Sequence, residues 1–244
     1  MKILGLDSSG LVASAAVVED DVLLAEYTTD YKKTHSQMLL PMLEELKNRI
    51  ELDLQSLDAI AVASGPGSFT GLRIGAATAK GLGLALHKPL VEVPTLEGLA
   101  YTLWGTGRLI CPLMDARRNQ VYTGLYEFVP AKAELSQTEL LLHTVSGQRA
   151  ADISDILNEI NTLGRKVIFL GDGVPVYREK IEEQVKVPFV FAPASCNRQR
   201  AAAVAALGAV YFREGKIVSA KEHRPEYLRK SQAEREREEK GGLA

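Results

Sequence analysis

The strongest constraint on the fold is an order of strand and helix patterns that appears twice along the 244 residues. In the first half, three apolar runs separated by short polar turns are typical of an antiparallel meander. These runs cover residues 2–7, 12–18 and 22–27. Helix and strand patterns then alternate, with helices expected at 34–50, 70–86 and 95–104 and strands at 58–63 and 90–93.

The second half predicts the same order. Its strands are expected at 109–115, 120–128, 139–144, 167–170 and 187–191, and its helices at 151–163, 176–184 and 197–213. Corresponding residues of the two halves also lie at a nearly constant distance in sequence. Asp115 lies 108 positions after Asp7, and Gly171 lies 106 positions after Gly65. The sequence therefore predicts an α/β protein with two βββαβαβα lobes, residues 1–106 and 107–215, and a cleft between them. Residues 216–244 are expected to be a C-terminal extension with a charged, solvated tail from Ser231.

Charge and composition exclude several classes of protein. The chain carries 29 basic and 31 acidic residues, a formal net charge of −2. Strong nucleic-acid binding by its own surface would need clustered, unpaired Lys and Arg, so any such role would be shared with a partner. No signal peptide and no apolar run near the roughly 20 residues of a membrane span is predicted. Cys111 and Cys196 then indicate reduced thiols in a cytoplasm.

Two aspartates are candidates for a ligand site in the cleft. Asp7 and Asp115 each end the first strand of a half. The carboxyl ends of strands are where open α/β sheets bind ligands, and carboxylates there can hold a hydrated Mg²⁺ or orient a water. Each aspartate could equally cap its own turn by accepting hydrogen bonds from backbone N–H groups. The sequence leaves both alternatives open.

Glycine-rich turns complete this candidate cleft. The stretch from Gly65 to Arg73 joins a strand to a helix, which favours either an anion site at the helix start or simply a tight connection. It lacks the Gly-Lys-Ser/Thr ending of a P-loop and the glycine spacing of a dinucleotide fingerprint. A second turn, in the other half, has the composition expected of an adenosine pocket. The candidate cleft residues are Asp7, Ser8, Gly65, Gly67, Ser68, Asp115, Gly171, Asp172 and Gly173.

The helices predicted at 34–50 and 70–86 suggest a contact with another subunit. In the second helix, small residues four apart form a smooth stripe, Gly71, Gly75, Ala79 and Gly83, with Gly81 on a neighbouring face. Each interior glycine costs about 1 kcal/mol relative to alanine, a cost expected where a backbone must approach closely. That backbone could belong to the chain's own sheet or to another subunit. The helix at 34–50, capped by Thr34 and bent at Pro41, carries apolar residues around most of its circumference, which favours a partner.

Four stretches together resemble the TsaB family, also called YeaZ, of bacterial tRNA threonylcarbamoyladenosine biosynthesis. They are MKILGLDSS, HSQMLLPML, SGPGSFTGLRIGAATAKGL and MDARRNQVY, and the resemblance extends from Met1 to about Arg229. It implies a duplicated ribonuclease-H-like fold, as in actin and the other members of the ASKHA group.

The resemblance also implies partners. The catalytic paralogue TsaD holds a metal through a His-x-x-x-His pair on its first helix and transfers threonylcarbamoyl to adenosine in tRNA. Here the first position corresponds to His35 and the second to Leu39, so neither a metal site nor a catalytic residue is expected. No resident cofactor is expected either, only weak or vestigial ATP or ADP binding. The family implies docking on TsaD, recruitment of the ATPase TsaE, a homodimer when alone, and contact with tRNA only through the complex.

The resulting prediction is a non-catalytic scaffold subunit that docks through the two helices. The residues expected at that interface are His35, Met38, Leu39, Met42, Leu72, Arg73, Gly75, Ala76 and Ala79. The competing hypothesis is a nucleotide-binding phosphotransferase or ATPase that uses Asp7, Asp115 and the Gly171-Asp172-Gly173 turn. A metalloprotease is disfavoured because no histidine has a second ligand at metal-binding spacing.

Overall fold

A computed structural model describes residues 1–31, 35–131 and 140–229 of the chain. Thr34, the expected helix cap, and the charged tail from Ser231 lie outside these residues. The first half contains β1 (Lys2–Asp7), β2 (Ala13–Glu19), β3 (Val22–Thr29), α1 (His35–Arg49), β4 (Ala59–Gly65), α2 (Phe69–Leu86), β5 (Leu90–Pro94) and α3 (Thr95–Tyr101). The second contains β6 (Leu109–Asp115), β7 (Gln120–Pro130), β8 (Leu140–Asp152), α4 (Ile153–Leu163), β9 (Val167–Leu170), α5 (Gly173–Gln184), β10 (Phe189–Phe191) and α6 (Ala201–Arg213).

The two halves build sheets of the same topology. The first has the strand order β3-β2-β1-β4-β5 and the second the order β8-β7-β6-β9-β10. In each, the central strand pairs antiparallel with the second strand of the half and parallel with the fourth. The predicted α/β fold of two βββαβαβα lobes is therefore confirmed.

Several elements differ in length from their predictions: α3 ends at Tyr101 rather than 104, α6 begins at Ala201 rather than 197, and β8 and α5 differ for identifiable reasons. β8 extends to Asp152 rather than 144, because it pairs with β7 along its whole length, and none of its residues is fully buried. A strand without a buried face shows little hydrophobic alternation, so the pattern gave no sign of its second part. α5 begins at Gly173 rather than 176 because Pro175 lies in the first turn, where the missing N–H would have no helical partner.

The last helix packs on the first lobe rather than on the second. α6 covers the sheet of β1, β2 and β4, with Val204 and Leu207 in one core cluster with Ile3 and Val91. Conversely, α3 contributes Leu96, Leu99 and Ala100 to a cluster with residues of the second sheet. The halves therefore exchange their final helices, although α3 also contacts β4 and β5 of its own half.

The glycine stripe of α2 packs against the chain itself. A Cβ on Gly71 would lie 2.0 Å from the Ser8 carbonyl oxygen, and one on Gly75 would lie 2.7 Å from the Ser8 Oγ. Gly83 faces Ala220 in the same way, and Ala79 is fully buried. Of the two explanations for the stripe, close packing within the chain is the one observed.

Residues 216–229 return to the first lobe. Val218 and Leu90 exchange two backbone hydrogen bonds of 2.9 Å, which adds a bridge at the edge of the first sheet. Further along, the backbone N–H of Glu226 donates to the Ser64 carbonyl at 2.7 Å, so this segment lies over the end of β4. Among the helices of the described residues, none combines the length and apolar composition needed to cross a bilayer.

Two alanine substitutions in α2 test this packing. Gly71→Ala should lower the free energy of unfolding by about 1–3 kcal/mol, because the added methyl group meets the Ser8 carbonyl. Gly81→Ala is the matched control, since a Cβ there meets none of the described residues within 4 Å, and it should raise the free energy of unfolding by about 0.5–1 kcal/mol. Urea denaturation of both variants measures the difference. Equal stabilisation by both would contradict the close contact at Gly71.

Candidate functional site

Asp7 closes the turn that follows β1. Its Oδ1 accepts hydrogen bonds from the Ser9 backbone N–H at 2.9 Å and from the Ser9 hydroxyl at 2.6 Å. The carboxyl group is only 1% exposed, and this burial raises its pKa to about 6, although the bonds from Ser9 oppose the shift. The capping role that the sequence left open is therefore the one seen in the geometry.

The glycine-rich turn before α2 binds the Ser8-Ser9 turn. The Ser68 N–H donates to the Ser9 carbonyl at 2.7 Å, and the Ser8 hydroxyl donates to the Gly71 carbonyl at 2.9 Å. A Cβ on Gly67 would lie 2.3 Å from the Ser9 carbonyl oxygen. The Gly71 N–H is taken by the Ser68 side chain at 3.3 Å. These contacts make the turn a tight connection in which the N–H groups of Ser68 and Gly71 already have acceptors.

The second lobe has a corresponding polar network around Asp115. This carboxylate accepts a hydrogen bond of 2.8 Å from the Arg117 N–H, and the Asp172 carboxylate accepts one of 3.1 Å from the Asp115 N–H. Burial raises the pKa of Asp172 above its ordinary value. Gly171 has φ of 105°, and a Cβ there would lie 2.2 Å from the Leu113 carbonyl, so the turn at Gly171 fits closely against β6.

Residues 197–200 join the two networks, and sequence analysis missed their role because it placed them in the last helix. The Arg198 guanidinium donates to the Gly171 carbonyl at 3.1 Å and also pairs with Asp30 at 3.4 Å. Arg200 pairs with Glu26 on β3 through a 2.9 Å hydrogen bond from its Nε. Gln199 lies against Gly10, fully buried. The run of two arginines and a glutamine before an alanine-rich helix was the available signal.

Most residues predicted at the helix interface lie inside the chain. Leu39, Met42, Leu72, Gly75, Ala76 and Ala79 are all buried. Side chains already covered by the core cannot contact another molecule in this conformation, so these six assignments do not fit the structure. His35 and Met38 are half-buried, and Arg73 is exposed. The His35 Nε2 lies 3.1 Å from the Val12 carbonyl, and the Arg73 guanidinium lies 3.9 Å from the centre of the Phe69 ring.

The outward side of the same helices carries a different set of residues. We call it the α1–α2 face and define it by the exposed residues Leu40, Thr70, Arg73, Ala77, Gly81, Leu84 and Ala85; beside them α1 also exposes Ser36, Gln37, Pro41, Glu44, Lys47, Asn48 and Arg49. Leu40 is 58% exposed and Leu84 is 49% exposed. A groove of about 190 Å³ runs beside Leu40, lined by Leu43, Leu46 and Leu82, with Glu44 and Lys47 at its rim. The face is thus apolar at Leu40, Ala77, Leu84 and Ala85, and at Ala77 and Gly81 its side chains are small enough to leave it almost flat.

Among the residues that the structure describes, no three His, Cys, Asp or Glu side chains are grouped as a metal ion would require. The Leu39 side chain lies in the core below the first sheet.

Comparison with known proteins gives matches over nearly the whole chain. The family model described as TsaD, tRNA N6-adenosine threonylcarbamoyltransferase, matches residues 22–237. The tRNA threonylcarbamoyladenosine biosynthesis protein TsaB of Bacillus subtilis is 35% identical over 234 residues, which are 96% of each chain. The protein of the same name from Escherichia coli is 34% identical over 130 residues, 52% of this chain and 55% of that relative.

A solved structure matches as well. YeaZ from Pseudomonas aeruginosa superposes with a TM-score of 0.75 and 28% sequence identity, over 93% of this chain and 99% of that chain. The likeness therefore includes both lobes.

The buried carboxyl group of Asp7 predicts a pH dependence of stability. Because its pKa is raised from 3.8 to about 6 in the folded chain, the folded state holds the proton more tightly, and stability falls as the pH rises from about 4 to about 6. Asp7→Asn keeps an acceptor for Ser9 and removes the ionisation. Its stability relative to the parent should therefore rise by at most about 3 kcal/mol between pH 4 and pH 7. Urea denaturation at both pH values measures this, and a constant difference would contradict the assignment.

Proposed function

The chain belongs to the TsaB family, and on that basis we propose that it is a non-catalytic scaffold subunit in the formation of threonylcarbamoyladenosine in tRNA. It docks on the catalytic paralogue TsaD, and the pair recruits the ATPase TsaE in the cytoplasm. The names and coverage of the relatives support the pathway. The observation that carries the docking proposal is the exposed apolar α1–α2 face.

Gly81 is the most informative residue of that face. An interior helical glycine costs about 1 kcal/mol relative to alanine, and the other glycines of α2 offset this cost by close contacts within the chain. At Gly81 no atom of the described residues lies within 4 Å of an added Cβ. Because Gly81 makes no close contact within the described residues, its lack of a side chain suits a helix of another molecule that approaches the backbone closely.

The neighbouring groove gives the partner a place to insert side chains. Leu40 and Leu43 line one side and Leu82 the other, while Glu44 and Lys47 offer charges of both signs at the rim. Apolar anchors in a groove with a polar rim are the usual anatomy of a protein–protein interface. When TsaD is absent, the same face would be buried against a second copy of this chain in a homodimer.

The non-catalytic assignment depends on positions 35 and 39. In the paralogue a histidine is expected at both, whereas here the second position is Leu39 and its side chain is packed in the core. His35 is half-buried beside the Val12 carbonyl. We propose that the cleft takes ATP or ADP weakly or not at all. Calorimetric titration of the isolated chain with ATP and Mg²⁺ tests this, and tight binding would favour the competing phosphotransferase.

Gly81→Arg tests the docking face. The variant should remain folded, because the added side chain enters open space, while its bulk prevents close helix approach. We expect the affinity for TsaD to fall by about 10-fold or more, since a few central contacts usually dominate an interface. Gly147→Arg is the matched control, since Gly147 lies on β8 and a Cβ added there would also meet no described residue within 4 Å. Wild-type affinity of Gly81→Arg would place the interface elsewhere.

Reconstitution decides between scaffold and enzyme. With TsaD, TsaE, tRNA and a supply of the threonylcarbamoyl adenylate, product should form only when this chain is present. The chain alone should give no turnover. Product formation by the chain without TsaD would contradict the proposal.

A further inference from the structure

Arginine and aromatic residues form a row across the boundary between the lobes, linked by ring contacts at one end and by a side-chain-to-backbone hydrogen bond at the other. We call this row the arginine–aromatic band, and it consists of Arg73, Phe69, Tyr227, Arg229, Arg117 and Arg118. It is separate from the groove between α1 and α2. The scaffold role does not use it, apart from the exposed Arg73 at its edge.

The band begins at the start of α2. The Arg73 guanidinium stacks 3.9 Å from the centre of the Phe69 ring, and the Phe69 and Tyr227 rings lie 4.7 Å apart between centres, tilted by 38°. Tyr227 remains 39% exposed, so part of its ring is open to solvent. A cation and two rings in contact therefore form an ordered stack at the surface.

The C-terminal segment carries the band to the second lobe. Next to Tyr227, Glu226 is held by the Ser64 carbonyl on one side and by the Gln148 amide, at 2.6 Å, on the other. The Arg229 guanidinium then donates to the Ala116 carbonyl at 2.5 Å. This bond brings Arg229 to the residue that directly precedes Arg117.

The backbone at Arg117 is held in an unusual conformation. Arg117, Arg118 and Asn119 have φ of 65°, 56° and 59°, a left-handed run that costs about 1–2 kcal/mol per residue for side chains other than glycine. All three side chains are exposed, and that of Arg117 is 84% exposed. The strained turn thus places two exposed arginines directly after Ala116, whose carbonyl accepts the hydrogen bond from Arg229.

The charge of the band is positive. Arg73, Arg117, Arg118 and Arg229 supply its guanidinium groups, while the carboxylates beside it are Asp115, Glu226 and the half-buried Asp172, which accepts from the Asp115 N–H. The Asp115 side chain is 18% exposed and lies 3.7 Å from Arg117, and Glu226 is bonded to Gln148. Even with Asp172 counted as ionised, the band has one positive charge in excess, which suits an anionic ligand that makes few contacts.

We propose that the arginine–aromatic band binds RNA directly, with the guanidinium groups on phosphates and an unstacked base on the Tyr227 ring. Guanidinium groups that follow a backbone, interleaved with rings that stack bases, are the usual features of single-stranded RNA sites. The proposal rests on the proposed function, which supplies a tRNA to the complex. It adds a direct contact to the expectation that tRNA is reached only through the partner. The net charge of −2 limits this contact to a few phosphates.

The test measures tRNA binding by the assembled complex with TsaD and TsaE at several salt concentrations. Arg117→Gln/Arg118→Gln should lower the affinity for tRNA by about 10-fold and reduce the slope of log K against log salt by about 1–2. Tyr227→Leu should weaken binding with an unchanged slope, because it removes a stacking face and no charge. Unchanged affinity and slope in the double arginine variant would overturn the proposal.

A matched control is Lys166→Gln/Lys186→Gln. Both lysines are exposed, and Lys166 directly precedes β9, at the opposite end of the second sheet from Arg117. This control should bind tRNA as the parent does. Titration with ATP and with inorganic phosphate in place of tRNA distinguishes the sources of phosphate. If the arginine variant loses ATP or phosphate binding while tRNA binding is unchanged, the RNA proposal is wrong.

A separate readout keeps the two proposals apart. Co-purification with TsaD reports the scaffold role, and the arginine variants should pass it at wild-type affinity. Ultraviolet crosslinking of the isolated chain to an anticodon stem-loop RNA at low salt needs no partner. Crosslinks at Tyr227 would support RNA binding by the arginine–aromatic band even if docking on TsaD failed. Their absence both in the isolated chain and in the complex would overturn the RNA proposal.

Discussion

The first lobe depends on one close approach of two backbones, that of the Ser8-Ser9 turn to the start of α2. The turn can approach only because positions 67 and 71 are glycines, and the contact is fixed by the bond from the Ser68 N–H to the Ser9 carbonyl. It holds α2 against β1 and β4, while α1 lies against β2 and β3. The α1–α2 face is therefore built on a rigid base, as a docking surface should be.

The sequence predicted the fold well because the information was local. Buried strands such as β1 and β4 are continuous apolar runs, and the repeated order showed the duplication. The exchange of α3 and α6 could not be predicted, since both helices are apolar enough to fit either sheet. Gly208 of α6 packs against Ala61 of β4. The two residues are far apart in sequence, so this contact could not be seen before the chain was folded. β8 was underestimated because a strand with no buried residue leaves no alternation to detect.

The candidate site was predicted less well, and for a specific reason. Composition identified α1 and α2 as helices with unusual surfaces, but periodicity did not say which side faces outward. Leu39 and Leu40 are neighbours in sequence, yet one is buried in the core and the other is exposed. The cleft aspartates were placed correctly at strand ends, whereas the contacts of residues 197–200 and 226–229 join parts of the chain far apart in sequence. Such contacts leave no local pattern.

The exchange of final helices has a consequence for biosynthesis. One face of the first sheet stays uncovered until α6, at Ala201–Arg213, has left the ribosome. Domains usually fold as units during translation, starting from the N-terminus. Here the N-terminal sheet cannot complete its core until most of the polypeptide has been synthesised. Until then, Ile3 and Val91 are exposed to water. A nascent chain stalled before residue 201 would thus expose the apolar face of an incompletely folded first lobe, a surface that chaperones bind.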